Sequence, residues 1–168
     1  ELGRRFRVTM SNFAVSGARM GDVLECQLPA AEALRADVVL LSVGANDVTH
    51  LTSIGSMRRD LRQIVERLTR VNPAVRIVVT GSPDMGSPPR IPRLLRGIAS
   101  CRTRQVNRMF EAEATRSGLV FARIAERTGP LFRRNRSLFD ADRFHPNDDG
   151  YATWVVVLNE ALAAAVSR

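Results

Sequence analysis

DVVLLSVGAND, residues 37–47, is an unbroken apolar run of strand length that ends in a glycine and two side chains able to hydrogen-bond. It has no polar alternation, so the spacing predicts a strand over 37–44 buried on both faces. Strands of that kind belong to parallel sheets covered by helices on either side. Working outward, RIVVTGS (76–82) and LVFARIA (119–125) read as two further strands, and RFRVTMS (5–11) as an earlier one. Helical periodicity fills the intervals. One helix covers 18–28, carries Met20, Val23, Leu24 and Leu28, and stops at Pro29; a second piece runs through Leu34. Ser56–Val71 places Met57, Leu61, Ile64, Val65 and Leu68 on one face, with Ser56 as its N-cap and Asn72-Pro73 as its stop. A long helix spans Leu94–Arg116 and ends at Gly118, and a last one spans 148–166. Strand–helix alternation of this kind gives an α/β fold, a three-layer α/β/α arrangement around a parallel sheet.

The 168 residues suit one domain, and 45% hydrophobic with 25% charged residues is ordinary for a globular chain. No apolar run is long enough to span a bilayer. The net charge is +8, and every basic residue is arginine. Those arginines are spread along the chain, and at 5% the aromatics are too few for base stacking, so nucleic acid is not the expected partner. Cys26 and Cys101 fit neither a disulfide framework nor a zinc motif and read as small fillers on helices.

In parallel sheets, ligands bind beyond the carboxyl ends of the strands. Three loops lie there. The first, SNFAVSGARMGD (11–22), holds Gly17, whose backbone N–H near a helix start can meet an anionic oxygen. The second holds Gly44-Ala45-Asn46-Asp47: the Asn46 amide can donate into the crevice, and Asp47 can brace the loop. The third, DADRFHPNDDGY (140–151), sets Asp142 three residues before His145. A carboxylate bonded to one imidazole nitrogen fixes the tautomer and leaves the other nitrogen free as a base. Asn147 or Asp148 caps the helix that follows. The spacing of Asp140, Asp142, Asp148 and Asp149 does not fit a calcium loop. Each loop has a plainer reading on its own, as a turn glycine, an Asn-Asp turn and a surface histidine beside a cap.

Together and in this order, they resemble the SGNH hydrolases, also called GDSL esterases and lipases. Gly17 matches the family's glycine block, GAND its G-x-N-D block, and DADRFHP its D-x-x-H-P block. The resemblance implies a single, flavodoxin-like domain over 1–168. It also implies a serine hydrolase of acyl or acetyl esters in which His145 is the base, Asp142 orients it, and Gly17 and Asn46 form the oxyanion hole. No cofactor or metal is implied. The partner would be a small ester: a lipid, an acyl compound or an acetylated sugar.

The family's nucleophile lies in a G-D-S block after the first strand, and no G-D-S occurs in this sequence. By resemblance, the chain is N-terminally truncated, with the first central strand and its serine upstream of Glu1, and the 168 residues alone would be inactive and poorly stable. Ser16, Ser42 and Ser82 are weak substitutes, Ser42 being expected inside a buried strand. A catalytically inactive domain that binds a carbohydrate or acyl ligand is the alternative; a nucleotide module would want a P-loop, which is absent. The Pro-rich loop 83–93 is a candidate wall of the crevice, and Arg90, Arg93 and Arg96 are candidate contacts for an anionic substrate. His50 reads as a solvated loop residue. The compartment, cytoplasm or export, and the oligomeric state stay open.

Overall fold

The computed structural model describes residues 7–167. Three parallel strands, β1 (Val38–Leu41), β2 (Arg76–Val79) and β3 (Val120–Phe121), form a sheet in that order, with Leu40 opposite Val78 and Val79 opposite Phe121. Each crossover between them is helical. The first segment, α1, is made of three consecutive pieces, Met20–Asp22, Val23–Gln27 and Leu28–Leu34. Then follow α2 (Ala45–Thr49), α3 (Ile54–Val71), α4 (Arg93–Arg116), α5 (Ile124–Arg134) and α6 (Asp148–Val166).

Strand alternation divides the core between two faces. Ile77 and Val79 point to one side, where they meet Met57, Leu61 and Ile64 of α3, Val106 and Phe110 of α4, and Met20 of α1. Val78 points to the other side and packs with Val157, Ala161 and Ala165 of α6 and Ile124 of α5. These are the three layers expected.

Several boundaries differ from the sequence reading, each for a physical reason. Pro29 does not end the first helix. The middle piece of α1 is a π-turn in which the Leu28 N–H donates to the Val23 carbonyl, so the chain is widened just where proline removes a donor and crowds the preceding turn. The cap of α3 is Ser53 rather than Ser56; its hydroxyl accepts from the Ser56 N–H. Strand 119–125 shrinks to β3, and Ile124 already begins α5, a helix that Gly129 and Pro130 hide from a periodicity reading. A Cβ on Gly129 would lie 3.2 Å from that of Asp84, so the glycine is there for close approach. The expected strand over 5–11 is absent across 7–11, whose residues are exposed and unladdered; residues 5 and 6 lie outside the described ones. A strand exists only through its pairing, and no described segment pairs with this one. Consistently, β1 is not buried on both faces: Leu40 is 43% exposed. Cys26 and Cys101 sit on outward helix faces, exposed and free, rather than filling the core.

Charge is organised around one buried acid. Glu113 of α4 is 6% exposed and is held by Arg62, Arg58 and Arg116 at 2.7, 3.4 and 3.0 Å. Hydrogen bonding from Arg62, opposed by burial and joined by Arg116, lowers its pKa from 4.5 to about 2. Because the folded-state value is depressed, its contribution to stability is complete above about pH 4.5 and disappears as pH falls toward 2. Denaturant unfolding between pH 5 and 2.5 should therefore show stability falling with acid, and Glu113→Gln should flatten that fall.

Candidate active site

Two hydrogen bonds tie the first loop to the second. The Asn46 amide donates to the Ala18 carbonyl at 3.0 Å, and the carboxylate of buried Asp47 accepts from the Met20 N–H at 3.1 Å. Asp47 thus braces the start of α1 from inside; burial raises its pKa, against the bonds it accepts. Gly17, at φ +84°, is the third residue of the turn closed by the Ala18 N–H on the Val15 carbonyl. It is exposed, and its own N–H is bonded to no described residue.

Gly44 delivers Asn46 by turning the chain after β1 at φ +122°, where the backbone packs tightly. A Cβ there would lie 3.1 Å from the Ser82 nitrogen and 3.2 Å from the Phe110 ring. The neighbouring turn after β2 is fixed by a residue that no local sequence pattern singles out. Asn107 on α4 accepts from the Ser82 N–H at 2.9 Å and donates to the Ser82 carbonyl at 2.8 Å, pairing with it as a strand would. Ser82 is buried and its hydroxyl donates to the Pro83 carbonyl, whereas Ser42, expected inside β1, lies just past its end and is exposed. There its hydroxyl lies 3.3 Å from that of Thr80. Ser16 is exposed in the Gly17 turn.

The third loop is a locked structure. Phe139 and Pro146 form a β-bridge, the Asp140 N–H donates to the His145 carbonyl at 2.9 Å, and Arg143 turns the chain at φ +60°. Asn147 caps α6 by accepting from the Gly150 N–H, and its amide donates to the Ser137 carbonyl. Inside this frame Asp142 accepts at one oxygen from the Phe144 and His145 N–H groups, at 2.9 and 3.0 Å. Its other oxygen lies 2.6 Å from His145 Nδ1. The Phe144 N–H bond first, then the His145 ring and the His145 N–H, push the Asp142 pKa down to about 2, so the carboxylate is ionised at any working pH. The His145 side chain is 63% exposed, with Nε2 free of described partners. Phe144 stands edge-on to the ring at 5.1 Å and packs against the main core, anchoring the loop.

Gly150 allows that frame to close. A Cβ on it would lie 2.3 Å from the Leu138 carbonyl oxygen and 2.8 Å from Pro146. We expect Gly150→Ala to cost about 1–3 kcal/mol by overpacking, measured by chemical denaturation, because both contacts are with parts of the chain that cannot swing away.

All three loops lie on one rim. The segments carrying Gly44 and Ser82 leave the carboxyl ends of β1 and β2. A shallow cavity lined by Val75, Arg76, Gly118, Leu119 and Ala165 puts the end of α6 at the amino edge of the sheet. α6 is 19 residues long, roughly 28 Å, so its start and the His145 loop are at the opposite, carboxyl edge. The Arg90 N–H, bonded to the Arg143 carbonyl at 3.0 Å, joins the Pro-rich loop to the His145 loop. His50 lies on the exterior with Nδ1 2.8 Å from the Asn46 carbonyl oxygen.

Comparison with known proteins points to one family. Residues 1–153 match the GDSL-like lipase/acylhydrolase family. A GDSL-like esterase of Mycobacterium tuberculosis is 36% identical over 133 residues, which are 79% of this chain and 42% of that protein. The chain thus spans less than half the length of that relative. Among solved structures, a carbohydrate esterase family 3 protein from Talaromyces cellulolyticus superimposes with a TM-score of 0.69 at 16% identity, covering 90% of this chain and 70% of that one. An extracellular lipase from Streptomyces rimosus gives 0.66 at 23% identity, covering 89% and 79%. With its G-x-N-D and D-x-x-H-P loops on one rim of a parallel sheet, this chain belongs to the GDSL-like lipase/acylhydrolase family.

Proposed function

We propose that this chain carries the base and the oxyanion donors of a serine esterase acting on acyl or acetyl esters, with the nucleophilic serine in a G-D-S segment N-terminal to residue 1. The observation that carries the proposal is the 2.6 Å Asp142–His145 pair, held in a rigid loop with Nε2 open, on the rim that also holds Gly17 and Asn46. The serine oxygen attacks the ester carbonyl carbon as its proton passes to His145 Nε2. Asp142 keeps the ring oriented and balances the imidazolium. The carbonyl oxygen becomes anionic and is met by the Gly17 N–H and by the Asn46 amide hydrogen that Ala18 does not use. His145 then gives the proton to the departing alcohol, and a water molecule, activated in the same way, releases the acid.

The test is hydrolysis of a short-chain aryl ester by the protein extended to include the upstream segment. Asn46→Ala should lower kcat about 10²–10³-fold, with a smaller change in KM, because its donor acts mainly on the transition state. A folded, extended protein without any hydrolysis would instead leave the ligand-binding alternative.

A further inference from the structure

The N-terminal part of α4 carries its apolar side chains on the outside. Leu94 is 92% exposed, Ile98 64% and Leu95 51%. Residues 94 and 98 are one turn apart on one face, with Leu95 beside them. Single exposed leucines are ordinary, but three within two turns form a ridge. The ridge is braced: Arg96 donates from Nε to the Ile91 carbonyl and from its guanidinium to the Pro89 carbonyl, both at 3.0 Å, so the Pro-rich turn is tied to the helix it precedes.

Along the chain, the charge flanking the ridge has one sign. Between Asp84 and Glu111 the sequence has six arginines and no carboxylate. Arg58, Arg62, Arg67, Arg70, Arg116, Arg123, Arg127 and Arg133 each pair with an acid elsewhere in the fold. Arg90, Arg93, Arg104 and Arg108, in contrast, make no ion pair with any described residue. A second copy of this chain seated on the ridge would bring two such uncompensated tips together, and they would repel.

From this we infer that the start of α4 docks the protein on an anionic lipid surface, with Leu94, Leu95 and Ile98 entering the headgroup boundary and the free guanidinium groups meeting lipid phosphates. Apolar insertion and headgroup attraction act together in such peripheral contacts, and guanidinium suits phosphate geometry. No helix among the described residues is long and apolar enough to cross a membrane, so the contact is interfacial. It goes beyond the proposed hydrolysis and needs none of its residues.

The experiment is co-sedimentation of the full-length protein with vesicles of phosphatidylcholine containing about one-quarter phosphatidylglycerol, against phosphatidylcholine alone. The mixed vesicles should bind at least about tenfold more tightly, and less so as salt rises. Leu94→Ser/Leu95→Ser/Ile98→Ser and, separately, Arg93→Gln/Arg104→Gln should each lose about tenfold or more of that binding with an unchanged unfolding transition. Absence of binding to the mixed vesicles, or equal binding by the triple serine variant, overturns the inference. So does a wild-type dimer that the serine variant makes monomeric, since the occupant would then be a second copy. Binding is read without catalysis, so its failure is separable from failure of the esterase reading.

Discussion

Under the proposed mechanism, replacing His145 by alanine in the extended protein is expected to lower kcat/KM about 10³-fold or more while leaving the fold intact. The His145 ring has one nitrogen committed to Asp142 at 2.6 Å and the other open at the carboxyl rim of the sheet. Its removal deletes the only proton carrier proposed for both halves of the reaction. The side chain is exposed and supports no core packing, so stability should barely move, which separates this variant from a merely structural one. Asp142→Asn is expected to fall between: an amide can still accept from the Phe144 and His145 N–H groups, but it cannot balance an imidazolium. Steady-state hydrolysis of an aryl acetate with a parallel thermal unfolding measurement decides it. Full activity in His145→Ala ends the mechanism.

The second large effect is on stability and reaches the site through the core. Phe110 is fully buried on the inner face of α4, among Ile77, Val79, Met57 and Leu61, and its ring underlies Gly44. Phe110→Ala should cost about 3–5 kcal/mol, the lost transfer energy plus the cavity left between sheet and helix, measured by urea unfolding. It should also reduce activity, because the cavity opens beneath the turn that presents Asn46. Phe110→Leu, which refills most of the space, should recover much of both. A loss of stability with unchanged activity per folded molecule would show that the Asn46 turn is fixed by Asp47 and Ala18 alone.

The parts of the molecule that could be read beforehand are those governed by local chemistry. The apolar runs at 37–44 and 76–82 gave β1 and β2, and the amphipathic spacing of Met57, Leu61, Ile64 and Leu68 gave α3. Asn147 as a cap and Gly118 as a left-handed stop gave the start of α6 and the end of α4 to within a residue. The Asp142–His145 pair was legible because three residues on a loop is short enough for the side chains to find each other. What could not be read was non-local. Pro29 inside α1 depends on a π-turn, and α5 survives Gly129 and Pro130 because the glycine lets it lie against Asp84. The failure of a strand over 7–11, and the exposure of Leu40, follow from which backbone edges have partners.

The sequence by itself therefore determined β1, β2, α3, α4 and α6, the parallel α/β class and the identity of the polar residues at the loop tips, since propensity, caps and apolar period act within a few residues. Only the tertiary structure decided that the Asn46 amide reaches back to Ala18, that Asp47 braces α1 from within, that Asn107 pins the turn at Ser82, and that the start of α4 turns leucines outward beside unpaired arginines. Those contacts join residues 25 or more positions apart, or depend on which face of a helix the core leaves uncovered. Nothing in a local pattern encodes either until the sheet has brought the segments together.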